Sequence, residues 1–155
     1  MSDGHDRHQS VHDTVRTPAI LDFDPTPTAV INPSELIDPL PGVSGCVITF
    51  FHREVDLLVE QRRFPTVATI KSEMGEHPVY GVDGSVGLLK AGVGAALAAG
   101  MLEELIALGF DSFIVCGSAG VLDKEIQYGH LVVPTAAIRQ EGMSYHYLPP
   151  EDAAE

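Results

Sequence analysis

Gly92-Val-Gly-Ala-Ala-Leu-Ala-Ala-Gly-Met-Leu-Glu-Glu-Leu-Ile-Ala-Leu-Gly109, followed by Ser112-Phe-Ile-Val-Cys-Gly-Ser-Ala-Gly120, is the stretch that decides the fold. Residues 95–108 are good helix formers, and Gly109 supplies the glycine that ends many helices. The only charges on that helix are Glu103 and Glu104, so most of its circumference is expected to be buried. Residues 112–116 form an apolar, β-branched run of strand length, read as a buried strand. A small-residue loop follows it.

Working outward, residues 86–90 read as a strand entering the helix through Gly92-Val-Gly94. The dipeptide Asp83-Gly84 is a two-residue hairpin turn joining that strand to one at residues 79–82. Residues 67–72 alternate as a strand does, and residues 54–62 carry Val55, Leu58 and Val59 at helical spacing. The run Cys46-Val-Ile-Thr-Phe-Phe51 reads as a continuous buried strand, and His130-Leu-Val-Val-Pro134 as the last one. Strands alternating with helices predict an α/β domain, a mixed and mainly parallel sheet flanked by helices, with a hairpin inside it. The domain is placed at residues 43–149. Residues 18–42 precede it as an extended, proline-punctuated lead-in that cannot form a long helix. Residues 1–17 read as a flexible polar tail and residues 150–155 as an acidic one. His5, His8 and His12 among Asp3, Asp6 and Asp13 could be a metal-binding arm; without apolar residues to pin it, the segment reads as solvated tail, and no metal site is expected.

The 155 residues carry 22 Asp+Glu against 9 Lys+Arg, a net charge of −13. That balance excludes a nucleic-acid binder, which needs a basic surface to displace counterions from phosphate. The three lysines, Lys71, Lys90 and Lys124, do not make a basic membrane-surface helix. Residues 91–102 are about half the roughly 20 residues of a spanning helix. Residues 1–17 lack the apolar stretch of a signal peptide. Cys46 and Cys116, both in apolar runs, read as free thiols. A cytoplasmic protein without membrane partners is expected.

In such a sheet, ligands bind beyond the carboxyl ends of the strands. Three segments put functional residue types there: residues 51–53, 91–95 and 117–120. Gly92, Val93 and Gly94 open a helix whose free amides suit an anion or a sugar edge. They are not a dinucleotide fingerprint, because Leu97 stands at the third glycine position and Asp111 precedes the next strand instead of ending it. Gly117, Ser118, Ala119 and Gly120 offer amides, a hydroxyl and room for a ligand. A nucleophilic serine elbow would need a glycine two residues before Ser118, where Cys116 stands. Arg139, Glu141, Ser144, Tyr145, His146 and Tyr147 form the densest polar and aromatic cluster, read as a site wall, an inter-subunit contact or an ordinary loop.

These segments, with Tyr128-Gly-His-Leu-Val-Val-Pro-Thr-Ala-Ala-Ile-Arg139 and Glu141-Gly-Met-Ser-Tyr-His-Tyr147, resemble the nucleoside phosphorylase and nucleosidase superfamily, closest to its uridine phosphorylase-like branch. The resemblance runs from about residue 42 to 149. It implies cleavage of the N-glycosidic bond of a purine or pyrimidine nucleoside, with phosphate attacking C1′ in the phosphorylases and water in the nucleosidases. It implies that Gly92, Val93 and Gly94 lie along the sugar and the anion or water site, and that residues 117–120 approach ribose, phosphate and base. It also implies a homo-oligomer. No organic cofactor is expected; inorganic phosphate is the candidate co-substrate.

Two departures qualify it. Where the phosphorylases carry a Gly-Asp-Pro-x-Arg phosphate loop, this chain reads Phe51-His-Arg-Glu-Val55. Where they carry an arginine before the Gly-Ser/Thr loop, Val115 stands. No Lys or Arg occurs between residues 91 and 123, so phosphate would rely on backbone amides plus Arg53, Arg139 or a neighbouring subunit. The later segment that supplies the family's base-stacking aromatic, ribose-binding Met-Glu pair and acidic proton donor has no counterpart before Glu155. The catalytic residues are therefore unassigned, and the reading expects a fragment, a split half or a weakened homologue, with a non-catalytic nucleoside-binding module as the alternative.

Overall fold

The computed structural model describes residues 18–150. The histidine-bearing segment 1–17 and the end of the acidic tail lie outside them. Five strands form one mixed sheet, in the order β2 (Thr66–Ser72), β3 (Gly75–Asp83), β4 (Val86–Lys90), β1 (Gly45–Thr49), β5 (Ser112–Cys116). β1 pairs in parallel with β4 on one side and β5 on the other, while β2–β3 and β3–β4 are antiparallel. The α/β class expected from the alternating pattern is the one observed.

Partner residues across a ladder share a face of the sheet. On one face lie Ile48, its partner Leu89 and Val79 opposite Leu89, all buried. They form one core with Met101 and Leu105 of α3 (Ala95–Ala107) and with Phe110 just beyond it. Burying each of those α3 side chains is worth about 1.5–3 kcal/mol, which anchors the helix whose amino end opens the candidate site. On the other face, Lys90 pairs with Asp56 of α2 (His52–Arg62), and Val55, Thr49 and Leu88 are buried. The lead-in is irregular apart from a 3-10 turn at Ala19–Leu21 and the four-residue α1 (Pro33–Leu36). Its end packs on the core through Ile37 and Leu40, with the Leu40 N–H donating to the Leu108 carbonyl at 2.8 Å.

Four expectations are corrected. Residues 112–116 do form a strand, but an exposed edge strand: Ile114 is 68% and Val115 62% accessible, and of its large apolar side chains Phe113 is the one that packs against the core. Residues 130–134 form no strand; among the described residues the outer edge of β5 has no partner strand, and the run does not reach it, so strand propensity alone makes no ladder here. α3 is buried on one stripe only, with Ile106 exposed on the opposite side. The β3–β4 turn is centred one residue later, on Gly84-Ser85, with Asp83 still paired to Val86 and Gly84 at φ +45°. β3 also starts earlier than its alternating part. Residues 75–78 pair with β2 alone, which is why Pro78, having no N–H to give, is tolerated there.

Candidate functional site

β1, β4 and β5 end level: Thr49 is opposite both Lys90 and Cys116. The ladders run one residue further, with Ala91 N–H donating to the Thr49 carbonyl at 2.9 Å and Phe50 N–H to the Cys116 carbonyl at 3.1 Å. The loops at residues 50–53, 91–94 and 117–120 therefore leave the sheet side by side, as the sequence pattern expects. With β1 between them, the two glycine loops start about 10 Å apart, two strand spacings.

Each loop has a local cause. The Thr49 hydroxyl accepts the Phe51 N–H at 3.2 Å, turning the chain from β1 into α2 and satisfying a buried polar atom. Gly92 has its N–H on Met101 Sδ at 3.4 Å, and a Cβ there would lie 2.0 Å from Leu97 Cδ2. Gly94 sits at φ +118°, a conformation that favours glycine, and caps α3 without a side-chain hydrogen bond. The first amides of α3 thus have no side-chain acceptor from their cap. Val93 projects outward at 84% exposure. Gly117 lies against Phe50, where a Cβ would approach its Cδ2 to 3.1 Å, and Ser118, Ala119 and Gly120 are exposed.

The cations have separate surroundings. Arg53 is exposed in the first turn of α2, with no hydrogen bond or ion pair among the described residues. Lys90, at the end of β4, is held by Asp56. Arg139 is engaged in folding its own segment. Its Nε donates to Ser144 Oγ at 3.0 Å, Nη1 to the Pro149 carbonyl at 2.7 Å and Nη2 to the Leu148 carbonyl at 2.8 Å. Its guanidinium also stacks 4.5 Å over the Tyr145 ring, whose hydroxyl donates back to the Arg139 carbonyl at 2.9 Å. Of the two arginines proposed for an anion, only Arg53 projects from the strand-end loops.

The Arg139-centred fold brings the 141–146 cluster to the amino end of α3. An open cleft of about 600 Å³ lies between residues 93–97 on one side and Glu141, Met143 and His146 on the other, with Ile20 beside them. Ser144 hydrogen bonds hold the Glu141 carboxyl below the usual carboxylate range, its backbone N–H donating at 2.7 Å. Glu141 is therefore an ionised acceptor at neutral pH. Tyr147 donates to Glu103 at 2.5 Å and fastens the segment to α3; burial first, then that carboxylate, pushes its hydroxyl up to about 12. The cleft offers backbone donors, an anionic acceptor and an imidazole around small apolar groups, which suits a hydroxyl-rich, uncharged ligand.

Two residues at the strand ends carry contacts that the sequence pattern assigns to neither. His52, in the first turn of α2, places Nε2 2.7 Å from the Ala91 carbonyl across 39 positions of sequence. Lys90 lies one residue before the interval free of Lys and Arg. Position at or just beyond a strand's carboxyl end is the signal available for both.

A profile of the phosphorylase superfamily matches residues 45–155. The chain is 38% identical over 63 residues to a uridine phosphorylase of Thermococcus kodakarensis, covering 41% of this chain and 23% of that protein. It is 37% identical over 60 residues to a guanosine phosphorylase of Halorubrum lacusprofundi, covering 39% and 25%. With an Escherichia coli uridine phosphorylase it shares 30% identity over 94 residues, covering 61% and 33%. The chain thus spans about a quarter to a third of the length of these relatives. With the profile covering most of the chain and the mixed sheet and its three strand-end loops in place, this chain belongs to the phosphorylase superfamily.

Proposed function

We propose that the chain handles nucleosides and belongs to chemistry at the N-glycosidic bond of a purine or pyrimidine nucleoside. The observation that carries the proposal is the level ending of β1, β4 and β5, which sets the 92–94 and 117–120 loops at one edge of the sheet in a member of this family. In this reading Gly92, Val93, Gly94 and the first amides of α3 lie along the ribose and the attacking group. Gly117, Ser118, Ala119 and Gly120 admit the base, and Arg53 is the anion contact. The relatives named for uridine and for guanosine support the substrate class and leave both kinds of base open. Inorganic phosphate is the proposed co-substrate, with no organic cofactor.

A hydrolytic or non-catalytic variant of the same site is favoured by one observation: the cations are sparse. Arg139 is engaged by its own segment and Lys90 by Asp56, leaving Arg53 as the one cation of the strand-end loops among the described residues, without the second arginine a phosphate prefers. Chromatography of free base from uridine, inosine and guanosine, with and without phosphate, tests both readings. We expect turnover far below the roughly 10 per second of a median enzyme, and base release that changes little with phosphate. Rapid turnover proportional to phosphate, with ribose 1-phosphate as product, would establish a full phosphorylase.

No helix among the described residues is long and apolar enough to cross a membrane. With the acidic surface, this supports the proposal of a cytoplasmic protein that works without nucleic-acid or membrane partners. Self-association into a homo-oligomer is proposed from the open β5 edge.

A further inference from the structure

The peptide between Ala91 and Gly92 is gripped from both sides. Its carbonyl accepts from His52 Nε2 at 2.7 Å, and its N–H, pointing the opposite way, donates to Met101 Sδ at 3.4 Å. A carbonyl can only accept, so the imidazole carries a proton on Nε2. A thioether is a weak acceptor, so the sulfur alone gives this plane little orientational preference; the imidazole is the stronger partner. Neighbouring anchors do not depend on it. Ala91 keeps its own N–H on the Thr49 carbonyl, and α2 is tied down by buried Val55 and by the Lys90–Asp56 pair. His52 is itself an exposed residue. Losing its side chain therefore frees one peptide without loosening the sheet.

We propose that His52 is a positioning residue. By holding the Ala91 carbonyl toward α2, it keeps the Gly92 amide turned into the core and fixes the path on which Val93 and Gly94 reach the ligand edge. The next residue, Gly92, is where this path would change: its missing Cβ lets the loop lie against Leu97. The first βα loop is thereby joined to the second, and the latch sets how residues 93–96 meet a bound molecule. That last effect rests on the nucleoside reading above; the latch does not.

The test uses the full chain, isotopically labelled, as wild type, His52→Ala and His52→Gln. The glutamine amide can reach the same carbonyl, so it separates loss of the hydrogen bond from loss of the ring. Three readouts are taken: Gly92 amide hydrogen exchange with its chemical shift, the nitrogen spectrum of the His52 imidazole, and the dissociation constants of uridine and guanosine. Without the latch, we expect Gly92 exchange to accelerate and nucleoside affinity to fall, each about tenfold, the ratio one ordinary hydrogen bond sets. The thermal midpoint should stay within a few degrees of wild type, and His52→Gln should restore most of both effects. An unchanged Gly92 resonance in His52→Ala, a glutamine variant no better than alanine, or a neutral His52 protonated on Nδ1 would each overturn the proposal. The imidazole spectrum decides it even if His52→Ala does not fold. If the wild type binds neither nucleoside, the functional reading fails while the Gly92 readouts still decide the latch.

Discussion

A methyl group added at Gly87 would lie 2.7 Å from Phe110 Cζ and 3.3 Å from Cys46 Sγ, in the middle of the core beneath α3. Phe110 is buried and cannot swing away. Gly87→Ala should therefore destabilise the protein by about 1–3 kcal/mol. Gly120→Ala, which meets nothing within 4 Å, should stay within about 0.5 kcal/mol; urea denaturation of the two variants makes the comparison. Cys46 supplies a second residue-scale prediction. Burial pushes its thiol up to about 11 from 9.0. The unfolded chain then loses this proton first, so the stability involved is complete below pH 9 and falls as pH rises toward 11. Tyr147 adds to the same fall above pH 10, its hydroxyl being raised to about 12. The urea midpoint should drop between pH 8 and pH 10.5, with a shallower drop in the Cys46→Ala, Tyr147→Phe double variant; equal slopes would refute this. At this scale the sequence disclosed the two glycine loops, because a strand followed by small residues has few other uses. It hid the contact of His52, whose partner is a backbone carbonyl 39 positions away that is defined only once β1 and β4 have found their register.

Arg139 works at the scale of an element. Its three donating nitrogens and the Tyr145 ring fold residues 139–149 onto themselves, around a single 3-10 turn, Met143–His146, with no hydrophobic centre of its own. Arg139→Met keeps the length and the apolar stem but deletes every donor. Charge-assisted hydrogen bonds are worth about 1.5–3 kcal/mol each when buried and less here, where the arginine is half exposed. Amide exchange of Ser144 and Leu148 should rise by at least tenfold, about 1.4 kcal/mol of local opening, while β1 and β4 amides remain protected. Equal protection of both regions in the variant would mean that the segment is held by something other than the arginine. The sequence marked this cluster by its density of polar and aromatic groups, yet residue types alone did not separate a site wall from an arginine clamp. Periodicity identified β1, β4, β5 and α3. It failed at residues 130–134, because strand propensity says nothing about whether the intervening chain carries a run to an open edge: β5 has one, and the run does not pair with it.

On the scale of the whole molecule, an uncharged edge meets a strongly charged body. Among the described residues β5 offers an unpaired backbone edge, Ile114 and Val115 are exposed on its opposite faces, and it carries neither Lys nor Pro to discourage pairing. Against this stands the net charge of −13, which makes two copies repel. Salt screens that repulsion over about 10 Å at 0.1 M, so association should strengthen as salt is added. Sedimentation across a salt series is expected to show the weight-average mass rising. A monomer at every salt concentration would show that the edge is protected without a partner. Exposure of β5 was the feature least visible in the sequence, since an apolar strand reads the same whether its neighbours are present or absent.

From residue 117 to 138 every side chain except Ile126 is exposed, and the backbone is held by short turns such as Ile126 N–H to the Asp123 carbonyl. A protease needs an extended stretch of chain in its cleft, and a well-packed protein provides one only in the rare moments when it opens. Here the stretch is already laid out, with Lys124 near its middle and 91% of that side chain accessible. Digestion by an added protease is therefore expected to begin in this ribbon, at a rate that does not follow the folding free energy of the sheet. Mutations that strengthen the core would leave the rate of degradation almost untouched, whereas any molecule that settles over the ribbon would lengthen the protein's life.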